Sequence, residues 1–171
     1  MEYVPVSFDY AAAFARGIHV QRVVANYLNA VGIPCHVPTN QYDPNNPKPY
    51  AAYELDIVLE AIPYDLEIKA RTLSFTTDPA TFPYDTVIVD TVSGYEAKDT
   101  KPLAYVLYSE VTGCLLAVAP STRPYWVKEY LYASNVGFVD QFYLCPREYL
   151  RPMSSLIERI HELQEATLCA S

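Results

Sequence analysis

Two alternating runs set almost back to back constrain this chain more than any other feature. They are Ala52-Tyr53-Glu54-Leu55-Asp56-Ile57-Val58-Leu59-Glu60 and Tyr64-Asp65-Leu66-Glu67-Ile68-Lys69-Ala70-Arg71, joined by Ala61-Ile62-Pro63. Successive side chains of an extended strand point to opposite faces, so two such runs around a short link predict a β-hairpin. One parity is mostly apolar and belongs to the core. The other gathers Glu54, Asp56, Val58 and Glu60 with Asp65, Glu67, Lys69 and Arg71 on a single face. A turn centred on Ala61 and Ile62 pairs Glu60 with Pro63 and, counting outward, sets Asp56 directly opposite Glu67.

The rest of the chain supplies partners for that hairpin. From Tyr10 to Val31 apolar residues recur every three or four positions, predicting an amphipathic helix that Gly32 and Pro34 stop. Thr39 to Pro49 and Thr72 to Pro79 read as loops. Strand-like runs at Thr86 to Val92, Leu103 to Tyr108 and Cys114 to Ala119 are expected to extend the sheet, and Tyr125 to Tyr132 and Ser154 to Leu168 have helical spacing. With no internal repeat and no composition break, the pattern predicts one α/β domain spanning 1–171, a central mixed sheet flanked by helices.

Composition narrows the function. The 171 residues are 51% hydrophobic, enough for an ordinary core, and 12 Lys+Arg against 20 Asp+Glu give a net charge of −8. Such a balance argues against charge-driven coating of nucleic acid and leaves room only for a local basic site. Tyr 16 and Pro 14 against Gly 5 exclude collagen-like and Gly-rich classes. Cys35, Cys114, Cys145 and Cys169 form no CxxC pair, which removes a zinc knuckle or thioredoxin-type motif. The start lacks a basic and apolar leader and no apolar run is long enough to span a bilayer, so a soluble cytoplasmic protein with no membrane partner is expected.

Opposed carboxylates on adjacent strands are mutually repulsive unless a cation sits between them. Asp56 and Glu67 are therefore candidate ligands for one hard divalent ion, Mg2+ with Mn2+ able to substitute. Lys69 joins their face as a candidate catalytic ammonium, and Arg71 is a candidate phosphate contact. The set suits phosphodiester hydrolysis, in which a metal activates water and a positive group stabilises the charged transition state.

Asp56, ten intervening residues, then Glu67-Ile68-Lys69, with an amphipathic helix upstream, resembles the PD-(D/E)XK nuclease superfamily. The resemblance covers roughly residues 8–120 and leaves the remainder as a C-terminal helical extension. It implies a restriction-endonuclease-like core, Mg2+ between Asp56 and Glu67, and cleavage of DNA or less often RNA. The stretch from Thr86 through Gly94-Tyr95-Glu96-Ala97-Lys98 to Lys101-Pro102 looks like small phage-encoded endonucleases of that superfamily, which implies a host-cell cytoplasm, a branched or junction DNA substrate, and a homodimer. One departure stands out. Many relatives carry a glutamate on the first helix shortly after a glycine, whereas Gly17 here is followed by His19, Gln21 and Arg22.

Plainer alternatives accompany each assignment. Asp56, Glu67 and Lys69 would also suit a solvent-facing strand pair. Lys98, Lys101, Arg123 and Lys128 are candidates for a phosphate track or a solvated rim, with Lys98 and Lys101 the candidate nucleic-acid contacts. Tyr84, Tyr95, Tyr125 and Trp126 suit base stacking less well than a core edge or subunit interface. His19, His36 and His161 lack ligand partners, and Cys145 lacks a base. The competing function is a non-catalytic phage accessory or binding protein on the same scaffold, which the acidic charge favours and which would be indifferent to loss of Asp56 and Glu67. An RNA-directed nuclease would use the same site.

Overall fold

The structure is a computed structural model that describes residues 10–38, 56–133 and 137–170. The Thr39 to Pro49 loop and the first half of the first hairpin run, Ala52 to Leu55, lie outside the described residues. Helix α1 (Tyr10–Ala30) buries Val20, Val24 and Leu28 along one stripe, the expected i, i+4 spacing. It stops where the sequence says. Gly32 takes a positive φ of 86°, open to glycine, and the Ile33 amide closes back on the Leu28 carbonyl at 2.9 Å.

The first sheet runs β1 (Cys35–His36), β2 (Ile57–Leu59), β3 (Asp65–Arg71), β5 (Ala104–Ser109), β6 (Leu115–Val118), β9 (Arg151–Pro152) in spatial order. Neighbours are antiparallel except β3 and β5, which run parallel and make the sheet mixed. The hairpin register is the expected one: Ile57 faces Leu66 and Val58 faces Asp65, with the Leu59 amide bonded to the Tyr64 carbonyl at 3.1 Å. Continued outward, that register sets Asp56 against Glu67.

Three expectations need correction. Strand β4 (Thr86–Thr91) does not extend this sheet; it forms a second, antiparallel one in the order β4, β8 (Phe138–Pro146), β7 (Val127–Ala133). The expected helix over Tyr125 to Tyr132 is instead the end of a 3-10 segment, Pro120–Tyr125, followed by β7. Its valine and tyrosines fit a pleated ladder, and seven backbone pairings with β8 outweigh the local helical spacing. The C-terminal region is consequently not a purely helical extension, since β7, β8 and β9 precede helix α3 (Met153–Cys169). The α/β class with a mixed sheet and flanking helices stands.

The layers explain where the polar face of the hairpin goes. On one side of the first sheet, Ile57, Leu66, Val106 and Ala117 pack against α1 and against Met153, Leu156 and Ile160 of α3. On the other side, Tyr105, Leu107, Leu116 and Val118 meet Val87, Val89, Tyr143 and Cys145 of the second sheet. The parallel register places Glu67 beside Tyr105 and Lys69 beside Leu107. The charged parity of β3 therefore faces the second sheet, not open water. Among the described residues no helix is long and apolar enough to cross a membrane.

Candidate functional site

Asp56 sits at the bend entering β2, and each of its carboxylate oxygens has a donor. Gln21 of α1 donates through Nε2 to Oδ1 at 2.7 Å, and the Ile68 amide of β3 donates to Oδ2 at 2.7 Å. Burial pushes the Asp56 carboxyl up to about 7; the Ile68 bond, Lys69 and Lys98 oppose that rise and the charge of Glu67 adds to it. The Gln21 amide is 91% buried, and its Oε1 has no hydrogen-bond partner. A buried acceptor without a donor is costly, so this spot favours a cation, a water or a proton.

Next to Asp56 lies a closed ring of charge. Lys69 Nζ donates to Glu67 Oε1 at 2.6 Å and reaches Asp90 Oδ1 at 3.4 Å. Lys98 Nζ donates to Glu67 Oε2 at 2.5 Å and to Asp90 Oδ2 at 2.6 Å. Two ammonium groups thus alternate with two carboxylates, and the four side chains are only 10–21% exposed. Burial raises the Asp90 pKa, but Lys69 and Lys98 outweigh it and hold the carboxyl below its ordinary range. For Lys98 burial lowers the pKa, and Glu67 and Asp90 outweigh that, keeping the ammonium charged. The Tyr105 ring lies beneath both ammonium groups, 5.8 Å from Lys69 Nζ and 5.5 Å from Lys98 Nζ.

Local structure delivers Asp90 and Lys98 to this place. Asp90 is the penultimate residue of β4, and Thr91, which ends the strand, caps the short helix α2 (Val92–Ala97) by accepting from the Gly94 amide at 2.9 Å. Lys98 is the residue at the far end of that helix. A Cβ at position 94 would come within 2.7 Å of Thr91 Oγ1 and 3.3 Å of Asp90 Oδ1, so only glycine lets the cap and the carboxylate sit this close. Lys101 donates to the Tyr95 carbonyl at 2.6 Å and to the Lys98 carbonyl, tying off the end of α2.

The predicted residues divide accordingly. Asp56, Glu67, Lys69 and Lys98 come together. Arg71 does not point to open solvent; its Nη2 donates to the Ile88 carbonyl at 2.7 Å and bridges β3 to β4. Lys101 serves the backbone of α2, while Arg123 stacks 3.8 Å over the Tyr143 ring and Lys128 lies 5.2 Å from it. Tyr95 and Trp126 are buried in the core between the sheets, whereas Tyr84 and Tyr125 are exposed, Tyr125 stacking on Tyr149 at 4.6 Å. His36 pairs with Glu60 at 3.3 Å, and the Cys145 thiol is pushed up to about 11 by burial, which suits neither a ligand nor a nucleophile.

Asp90 is the residue that sequence reasoning missed. Its signal was an acidic side chain closing an apolar strand immediately before a Thr-x-x-Gly cap, a position that neither parity nor motif spacing marks.

Among the described residues no three histidine, cysteine, aspartate or glutamate side chains converge to hold a metal ion. What is present is a pair of carboxylates, Asp56 and Glu67, beside the partnerless amide oxygen of Gln21. Hard oxygens in that number fit Mg2+, which keeps several waters and takes one or two carboxylates. No family model, curated protein or solved structure matches this chain.

Proposed function

We propose that this chain is a Mg2+-dependent endonuclease of the PD-(D/E)XK kind that hydrolyses phosphodiester bonds in DNA. The observation that carries the proposal is the convergence of Asp56, Glu67 and Lys69 from adjacent strands, with Lys98 brought onto the same carboxylates from a distant part of the chain. Asp56 and Glu67 would hold the ion, whose contribution is an activated water and relief of negative charge. Lys69 stabilises charge that develops on the phosphate, and Glu67 and Asp90 keep its ammonium in place until then. Lys98 is the second positive group available to a phosphate oxygen. Arg71 and Lys101 hold the elements that carry these side chains, β3 on β4 and the end of α2.

A second function rests on a specific observation: both ammonium groups are already neutralised by Glu67 and Asp90, as in a structural ion cluster. On that basis the chain is a binding protein with a nuclease-like scaffold. Incubating linear, single-stranded and four-way-junction DNA, and RNA, with Mg2+ or Mn2+ separates the two. Metal-dependent cutting that falls about a thousandfold in both Glu67→Ala and Lys69→Ala supports the nuclease. Absence of cutting on every substrate by folded wild type supports the binding protein.

A further inference from the structure

Helix α3 does not fill all the space between itself and the first sheet. Where its first two turns cross the ends of β5 and β6, a cavity of about 110 Å³ remains. The strand register accounts for it: Tyr105 pairs with Val118 and Val106 with Ala117, which sets Ala104 against Ala119, so small side chains meet on the helix-covered face at one end of the sheet. Leu103 and Leu156 complete an apolar wall, and Ser155, Arg151 and Arg159 bring the polar groups.

Those polar groups are cationic in a chain whose net charge is −8. Arg151 of β9 donates through Nη1 to the Glu148 carbonyl at 2.6 Å and to the Leu150 carbonyl at 2.8 Å. Backbone bonds of that kind fix the plane of the guanidinium without neutralising it, and among the described residues no carboxylate forms an ion pair with Arg151. Arg159 of α3 pairs with Glu162 at 2.9 Å, but both side chains are more than half exposed, so the pair is weak and readily exchanged. Two guanidinium groups with charge to spare thus border one apolar hollow.

We infer that this cavity binds a short aliphatic monocarboxylate of about four to six carbons, its chain among Leu103, Ala104, Ala117 and Leu156 and its carboxylate on Arg151 and Arg159. Volume sets the chain length, since an apolar cavity of roughly 150 Å³ takes a benzene ring and this one is smaller. Charge and shape set the head group. A guanidinium fork matches the planar carboxylate, with the Ser155 hydroxyl as a further donor. An amine would add a third positive charge, and inorganic phosphate would leave the apolar walls without a partner. The cavity lies on the α3 face of the first sheet, away from Glu67 and Lys69, so the site is independent of the nuclease proposal.

Titration of the 171-residue chain with sodium valerate, followed by nuclear magnetic resonance chemical shifts, tests it, with acetate, butylamine and inorganic phosphate as comparison probes. Valerate should bind with a Kd of about 1 mM or tighter and shift the amides of Ala104, Ala117 and Ser155. Acetate, which has the charge without the chain, should bind at least about tenfold more weakly, and butylamine should not bind. Arg151→Gln and Arg159→Gln should each weaken valerate about tenfold. Ala119→Leu, at the half-buried end of the cavity, should abolish binding, and Arg159→Gln, on the exposed side of α3, keeps the test decisive should the leucine variant fail to fold. No binding of valerate by the folded wild type, butylamine or phosphate binding as tightly as valerate, or affinity unchanged in both arginine variants or in a folded Ala119→Leu would overturn the inference.

Discussion

Strands β3 and β7 are both seven residues long, and their surroundings are inverted. In β3, Glu67, Lys69 and Arg71 are drawn inside, each with partners from β4 or α2. In β7 the large apolar side chains, Tyr130 foremost, stand in water. The difference is position. A central strand covered on both faces must satisfy whatever polar groups it carries, so Glu67 and Lys69 survive there only as members of a closed ring. An edge strand reaching past its neighbours has no core to bury into. Charge retained inside and apolar surface retained outside both cost stability, so each is a candidate contact site.

The sharpest way to break this comparison is truncation on each strand. Leu66→Ala, on the fully buried face of β3, is expected to cost about 3 kcal/mol, whereas Tyr130→Ala in β7 should fall within about 0.5 kcal/mol for the dilute chain. Denaturant midpoints measure both, and equal losses would show that the β7 ribbon is packed as tightly as the core. A smaller effect belongs to the ring. Lys98→Ala leaves Glu67 and Asp90 to share Lys69 alone, at an expected cost of about 2 kcal/mol, and added Mg2+ should recover part of it. If denaturation shows no loss, the ring contributes nothing that solvent cannot replace.

The smallest effect is read against pH. Because the folded chain holds the Asp56 proton more tightly than the unfolded chain, that contribution is complete below about pH 4 and is lost as pH rises towards about 7. Asp56→Asn removes the ionisation, and Gln21 can turn its amide so that Oε1 accepts from the new Nδ2. Its melting temperature should therefore gain on wild type through that window and level off above it, with Mg2+ narrowing the gap. A gap that does not change with pH would mean that folding leaves the Asp56 pKa unshifted.

Much of this site was legible before the fold. Parity placed Glu67, Lys69 and Arg71 together, and the turn at Ala61 and Ile62 gave the register that sets Asp56 against Glu67. Gly32 gave the end of α1. The readings that failed concern elements whose partners lie far along the chain. The spacing from Tyr125 to Tyr132 suits a helix until β8, a strand that the sequence pattern did not announce, offers it a ladder. Likewise β4 reads as one more strand of the first sheet until β8 takes it into a second.

By itself, then, the sequence determined the local geometry: which side chains alternate, where the chain turns, and which carboxylates oppose each other, because dihedral preferences and period-two alternation act within a few residues. Only the tertiary structure decided that the polar face of β3 would look onto a second sheet, that Asp90 and Lys98 would close a ring with Glu67 and Lys69, and that β7 would be the outermost described strand of the second sheet. Those outcomes depend on contacts between segments tens of residues apart, and the electrostatic and burial terms that set them exist only once such segments meet.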